Sequence, residues 1–576
     1  MKIVLTALNA KYTHDNLAVR YLQAYCSKSF PDLIVREFNI NQNLSLILAE
    51  LVDLDPDVIG FSCYIWNIGE TIEVIKNLKK VRPDLVIVLG GPEVSYDYHQ
   101  LMKNHREIDY IVAGEGEKPF LQLLSLLKHT RIPSPPQLAG VSSLVYRVGE
   151  KILNNPKVIM DLSELPGAYS YDLSRLKNKI VYYETSRGCP FNCEYCLSSR
   201  SGNVRYFPLE QCKREIKTLA EMGIEQIRFV DRTFNCNPDR AYELLKFIIS
   251  LDTNTRFQFE IGGDLLSEDL LKLLEKAPYN RLQFEIGVQS TNPKTLKQIG
   301  RKTDLGKLAE NVKVLKNKTD VRFLLDLIAG LPEESFARFG YSFDFVYNLQ
   351  PTKIQLGFLK LLKGSRLRER VDEFGCIFTD KAPYEVLQTN SISYPQLSLL
   401  KVIEALVEMF YNSGRFSYSL NYLIRREQVR PFELFANLAH KWKAKGYHLV
   451  YHSVFKLYNL LWELIGSDDP VLLNYLRFDY RNNEPKRTTP SWLTSSDHKK
   501  TIQKYSRELI RDGSIFKYLP KLKPLELSPR EISRKFMIEE FDYLIYPWQP
   551  IPPKKKQLLL FDYSDDLRIR VYDLNI

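Results

Sequence analysis

Residues 180–196 read IVYYETSRGCPFNCEYC. A short strand-like run leads straight into Cys189, Cys193 and Cys196. The chain has 576 residues and only eight cysteines, so three of them fall within eight positions. Gly188 and Pro190 favour irregular backbone between the strand and the next helical segment, and a loop of that kind can wrap thiolate ligands around a metal. Three close thiolates can hold three corners of a cubic cluster and leave the fourth iron open to a small molecule. A structural zinc site normally uses four protein ligands, and no nearby cysteine or histidine completes such a set. Cys212, on the next helix, is read as a small buried hydrophobe.

On both sides of this loop the sequence alternates between strand and helix. From Ile180 onward the strand-like pieces are IVYYETSR, QIRFVDRTF, RFQFEIGG, RLQFEIGVQS, VRFLLDLIAGLP and KIQLGFLKLL, with helical spacing between them. This pattern predicts a partial (β/α)6 barrel over 179–382, with its active site at the carboxyl ends of the strands. Upstream, KIVLTAL, IVREFNI, DVIGFSCY, LVIVLGG and IDYIVAG alternate with helices over 1–130. They predict a Rossmann-like parallel sheet that binds ligands beyond its strand ends. Residues 131–178 begin with the proline-rich RIPSPPQLAG and include a hairpin, SSLVYRVGEKILNN, and are read as a linker. Residues 383–576 change texture, to aromatic-rich helices followed by short terminal strands. The overall fold class is therefore α/β with a mainly helical C-terminal domain.

The chain weighs 67.2 kDa, which suits several domains. Hydrophobic residues make up 44% and the formal charge is +11. The modest basic excess does not call for a nucleic-acid partner. Scattered cysteines, no signal-peptide pattern and no long apolar run point to a cytoplasmic protein without a membrane span.

CPFNCEYC resembles the signature of the radical S-adenosylmethionine enzymes. The resemblance implies a [4Fe-4S] cluster on Cys189, Cys193 and Cys196, S-adenosyl-L-methionine on its open iron, and Tyr195 near the adenine. It also implies reductive cleavage to a deoxyadenosyl radical, with electrons from a low-potential donor such as flavodoxin or ferredoxin. FVDRTFN and EIGVQS resemble strand-end segments of that superfamily, which places Asp231, Asn235, Gln289, Ser290 and Arg301 around the cofactor. The Gly-Gly-Glu motif common after the second strand is replaced by FVDRTFN, and a GGD occurs later, at Gly262–Asp264.

GFSCYIWN, LGGPEVS and VAGEGE resemble a cobalamin-binding domain. By that likeness Ser62, Cys63, Tyr64 and Trp66 lie near the corrin, and Gly90, Gly91, Pro92, Gly114, Glu115 and Gly116 line its nucleotide tail. The first loop, NAKYTHDNLA, lacks the Asp-x-His-x-x-Gly motif, so His14 is read as a hydrogen-bonded or surface residue. Together the two domains resemble the cobalamin-dependent radical S-adenosylmethionine family, in a subgroup with an uncharacterised C-terminal domain. The implied activity is methyl transfer to an unactivated carbon. The alternatives are cyclisation or rearrangement with the same cofactors, or a non-catalytic cobalamin sensor. A methylthiotransferase is excluded, because the first 150 residues hold only Cys26 and Cys63 and not a second cysteine cluster.

No catalytic side chain and no substrate follow from the sequence. The C-terminal third is expected to cap the barrel mouth. Its basic stretch, Glu484 to Leu522, is read as a solvated loop and helix, and Tyr447, Phe455, Tyr458 and Trp462 as core packing.

Overall fold

The structure, a computed structural model, describes residues 1–576 apart from 171–175, 201, 466–467, 485–489, 494–498, 526, 566–568 and 575–576; the side chains of 491, 499–502 and 524 are also left out. The chain forms two compact units, 1–342 with 348–394, and 343–347 with 395–576.

The first unit opens with a seven-stranded sheet. Its strands are β1 (Ile3–Asn9), β2 (Ile34–Asn39), β3 (Val58–Ser62), β4 (Val86–Gly90), β5 (Tyr110–Val112), β6 (Leu144–Val148) and β7 (Lys151–Asn154), in the order β2-β1-β3-β4-β5-β6-β7. The first five pair in parallel, and β6 and β7 add antiparallel at the edge. The hairpin assigned in sequence to the linker is thus part of this sheet. Side chains alternate along a strand, so β1 serves two cores. Ile3, Leu5 and Ala7 pack on the side of the helices Leu17–Cys26 and Glu117–His129, while Val4 and Leu8 pack on the side of Leu44–Asp53 and Ile68–Val81. Burial on both faces explains why the inner strands β1, β3 and β4 are largely apolar.

A second sheet contains β8 (Ile180–Tyr183), β9 (Gln226–Phe229), β10 (Arg256–Ile261), β11 (Leu282–Gln289), β12 (Arg322–Ala329) and β13 (Lys353–Phe358). All are parallel and lie in chain order, with β8 and β13 unpaired to each other, as in an open barrel. In β11 the residues Leu282, Phe284, Ile286 and Val288 are buried, while Gln283, Glu285, Gly287 and Gln289 alternate with them on the opposite face. The free edge at β8 is met by the loop after β1: Ile180 donates to Thr13 O at 2.7 Å and Asp15 donates to Ile180 O at 3.3 Å. His14, in that loop, has Nδ1 3.0 Å from the Tyr182 hydroxyl.

The second unit packs helices Pro431–Ala444, Val454–Ile465 and Pro470–Asn483 with a three-stranded antiparallel sheet, β14 (Phe536–Phe541), β15 (Gln557–Asp562) and β16 (Arg570–Asp573). Tyr475, Phe478, Phe541 and Phe561 form one of its cores. Of the aromatic stripe read as core packing, Tyr458 is fully buried, but Phe455 is 43% exposed. Trp462 stacks on Trp492. Parts of the basic stretch Glu484–Leu522 lie outside the described residues.

Candidate functional site

The cysteine loop is closed at its base by a short antiparallel ladder, Ser186–Arg187 against Arg205–Tyr206. Gly188 has φ +107°, and a Cβ there would come within 2.8 Å of Asn203 O, so only glycine fits the turn. Asp231, at the end of β9, accepts from the Thr185 amide at 2.9 Å, the Thr185 hydroxyl at 2.6 Å and the Ser186 hydroxyl at 2.5 Å. Burial raises its carboxyl above the usual range, against those three bonds. Asp231 therefore fixes the strand that presents the cysteines.

Cys193 is buried, while Cys189 and Cys196 are half-buried. Cys189 Sγ lies 3.9 Å from the Thr233 hydroxyl. Burial raises its thiol, with smaller contributions from Cys196 and Cys193. The one carboxylate of the loop, Glu194, is turned to Arg370 at 2.5 Å. Among the described residues no three His, Cys, Asp or Glu side chains stand close enough to grip a metal ion together. The donor set is nonetheless all thiol, which suits a soft iron–sulfur unit better than a hard cation.

A cavity opens beside Cys193, at the carboxyl ends of β10 to β12. Its walls include Glu260, Glu285, Gln289, Arg301, Asp326 and Arg232. Gln289 has φ +68°, at a register shift in β11, and its Oε1 is buried without a partner. Arg301 Nη2 donates to Gly287 O at 2.5 Å and Nη1 lies 3.5 Å from the Tyr195 hydroxyl; its Nε and Asp326 Oδ1 are also buried and unpartnered. Unsatisfied buried polar atoms are costly, and three around one cavity fit a polar ligand such as S-adenosylmethionine. Burial lifts Glu260 to about 7, Arg232 opposing and Glu285 reinforcing the rise. Burial, then Glu285 and Glu260, lift Asp326 well above the carboxylate range.

Of the residues placed here by sequence, Cys193, Gln289 and Arg301 reach the cavity wall. Asn235 and Ser290 do not; they brace it. The Asn235 amide accepts from Gly262 N at 2.8 Å and donates to Gly262 O at 2.9 Å, so it clamps the GGD turn. The Ser290 hydroxyl is fully buried and donates to Glu334 at 2.6 Å. Glu260, Glu285 and Asp326 escaped sequence reasoning. Their signal was a single carboxylate within an otherwise largely apolar strand in QFEIGG, QFEIGV and LLDLIA.

The second group surrounds the ends of β3 and β4. Gly91 has φ +108°, and an added Cβ would meet Cys63 O at 2.5 Å. The Cys63 amide donates to Gly90 O at 2.8 Å, and the Ser95 hydroxyl donates to Gly91 O at 2.8 Å and accepts from Gly114 N at 3.0 Å. Pro92 begins a single 3-10 turn. Ser62 Oγ is buried. Tyr64 and Trp66 stack at 4.3 Å, with Trp66 42% exposed. Gly-rich turns and an open aromatic pair fit a large planar cofactor with a polar tail. Cys63 itself is wholly buried in the core, its thiol raised by burial. Glu115 is engaged by Arg205 and by the Met160 amide at 2.8 Å, and Gly116 precedes the helix Glu117–His129. Burial raises the Tyr64 phenol, and a hydrogen bond with Ser62 and the charge of Arg232 act against that rise.

Comparison with known proteins gives three family matches: B12 binding domain over 3–124, Radical SAM superfamily over 183–346, and a protein of unknown function, DUF4080, over 372–561. An uncharacterized methyltransferase of Pyrococcus horikoshii is 27% identical over 368 residues, covering 62% of this chain and 78% of the relative. An anaerobic magnesium-protoporphyrin IX monomethyl ester cyclase of Rubrivivax gelatinosus is 24% identical over 331 residues, covering 53% and 57%. The structure of the cobalamin-dependent S-adenosylmethionine radical enzyme OxsB with aqua-cobalamin bound matches with a TM-score of 0.58 at 16% identity, covering 83% of this chain and 79% of that one. Among the described residues no helix is long and apolar enough to cross a membrane.

Proposed function

We propose that this chain, a cobalamin-dependent radical S-adenosylmethionine enzyme with an uncharacterised C-terminal domain, transfers a methyl group to an unactivated carbon of its substrate. The observation that carries this reading is that two candidate cofactor sites stand in one compact unit. One is the cavity beside Cys193, the other the Tyr64–Trp66 pair after β3, and the likeness to an uncharacterized methyltransferase of Pyrococcus horikoshii supports joining them in methyl transfer.

When bound, the cluster supplies an electron that cleaves S-adenosylmethionine to a hydrogen-abstracting radical, and cobalamin supplies a transferable methyl group. The chain's own residues bind and orient. Cys189, Cys193 and Cys196 hold the cluster on a loop fixed by Asp231. Arg301 and Gln289 offer a donor and an acceptor to the sulfonium cofactor. Glu260, Glu285 and Asp326 accept hydrogen bonds from its ammonium and hydroxyl groups. Asn235 and Ser290 keep the cavity wall in place by holding Gly262 and Glu334. Ser62, Tyr64 and Trp66 face the corrin, and Gly90, Gly91, Gly114 and Gly116 leave room for its tail. A low-potential donor such as flavodoxin or ferredoxin delivers the electron.

A second reading, cyclisation with the same cofactors, is favoured by the likeness to the cyclase. The two separate without knowledge of the substrate. Anaerobic protein loaded with reduced cobalamin is given S-adenosylmethionine carrying a labelled methyl group. Label appearing on cobalamin supports methyl transfer; deoxyadenosine released with no label on cobalamin supports cyclisation or rearrangement.

A further inference from the structure

The second unit carries an apolar tip that neither reading uses. Leu449, Val450 and Tyr451 are consecutive and 76%, 62% and fully exposed, the only such run of large apolar side chains among the described residues. Phe455, the second residue of the next helix, is also exposed. Single exposed apolar residues need no explanation, but a contiguous exposed group does.

The tip stands on a built base. The helix Pro431–Ala444 ends at Gly446, with φ +69°, and a 3-10 turn follows at Tyr447–Leu449. Buried Trp442 packs edge-on against Tyr447 and His452, with ring centroids 5.3 and 5.2 Å away. His452 Nε2 lies 2.8 Å from Tyr447 O, which ties the two sides of the tip together. Tyr447 also donates to Glu463 at 2.8 Å. Trp442 is thus held inward at the base, while Leu449, Val450 and Tyr451 are exposed to solvent.

The surrounding charge is mainly positive, although Lys445 is paired with Glu463 at 3.5 Å. Residues 441–456, KWKAKGYHLVYHSVFK, contain Lys441, Lys443, Lys445 and Lys456 and no acidic residue. A small exposed apolar run on a cationic segment suits a fluid apolar layer, which accepts it without a shaped pocket. A cationic rim around that point complements an anionic layer of headgroups.

We propose that the Leu449–Val450–Tyr451 tip inserts into an anionic lipid surface and holds the enzyme there as a peripheral protein. The inference is independent of which reaction the first unit performs.

The test is sedimentation of the full chain with phosphatidylglycerol/phosphatidylcholine vesicles and with pure phosphatidylcholine vesicles. The expected result is binding to the anionic vesicles that weakens with salt. Combined Leu449→Ser, Val450→Ser and Tyr451→Ser is expected to weaken it at least about tenfold, from lost apolar burial. Lys443→Gln with Lys456→Gln is expected to weaken it by roughly fivefold or more at low salt. Unchanged circular dichroism confirms that the variants are folded. The proposal is overturned if the wild-type chain stays in the supernatant with both vesicles, or if the triple-serine variant binds as the wild type does. A concentration-dependent dimer in sedimentation velocity, lost in the triple-serine variant and accompanied by no vesicle binding, also overturns it and assigns the tip to self-association.

Discussion

Arg301 and Cys193 meet across 108 residues of chain, with Nη1 3.9 Å from Sγ. The same guanidinium is fixed to Gly287 O and lies beside the Tyr195 hydroxyl. One planar, permanently charged group thus touches the cysteine loop, the end of β11 and the cavity. A lysine retains the charge but not the fork. Arg301→Lys is expected to lower S-adenosylmethionine cleavage by roughly 10- to 100-fold, the loss of one oriented charged donor. Iron content should be unchanged. Deoxyadenosine release, measured by chromatography beside an iron assay, checks both.

Asp231 is expected to act on the cysteine loop and not on the cofactor directly. Asp231→Ala strands two hydroxyls and an amide in a buried place. The expected cost is about 3 kcal/mol or more, read as a lower urea midpoint, with less iron retained per chain. Asp231→Asn, which keeps an acceptor, should lose less of both.

Gly91 and Gly149 separate strain from collision. Both have positive φ, +108° and +59°, but a Cβ at Gly91 meets Cys63 O at 2.5 Å while one at Gly149 meets nothing within 4 Å. Gly149→Ala is expected to cost about 1 kcal/mol, from backbone conformation alone. Gly91→Ala is expected to cost about 3 kcal/mol and to weaken cobalamin binding, because β3 and β4 must part to admit the methyl group. Urea unfolding and absorbance titration with hydroxocobalamin measure the two effects.

Asp479 gives the second unit a pH dependence. Burial pushes its carboxyl up to about 7, against hydrogen bonds from Ser419 and Tyr418 that favour the ionised form. In the unfolded chain its ordinary value is 3.8. Between those values the folded state binds more protons than the unfolded state. Its stabilising contribution is therefore fully present below about pH 4 and is lost as pH rises through about 7. The unfolding midpoint should fall from pH 5 to pH 8, and Asp479→Asn should flatten that part of the slope. The difference between wild-type and variant midpoints across this range is the measurement.

What the sequence conveys well is local. The three cysteines lie within eight residues, and the strands of both sheets announce themselves by apolar runs with helices between. What it conveys poorly depends on pairs far apart in the chain. Asn235 and Ser290 look like cofactor ligands because they follow strands, yet their side chains are taken by Gly262 and Glu334, 27 and 44 residues away. Glu115 looks like part of a Gly-rich turn, but it meets Arg205, 90 residues on. The hairpin at β6 and β7 resembles a linker ornament until its pairing to β5 is seen. The carboxylates Glu260, Glu285 and Asp326 become a group only when β10, β11 and β12 lie side by side, since each alone is one polar residue in an alternating strand.

The most direct test of the catalytic account is electron paramagnetic resonance of the anaerobically reconstituted, reduced protein with and without S-adenosylmethionine. A [4Fe-4S]+ signal that changes when the sulfonium cofactor is added, and that disappears in Cys193→Ala, is the predicted result. Bound zinc in place of iron, or a cluster signal indifferent to S-adenosylmethionine, would contradict it.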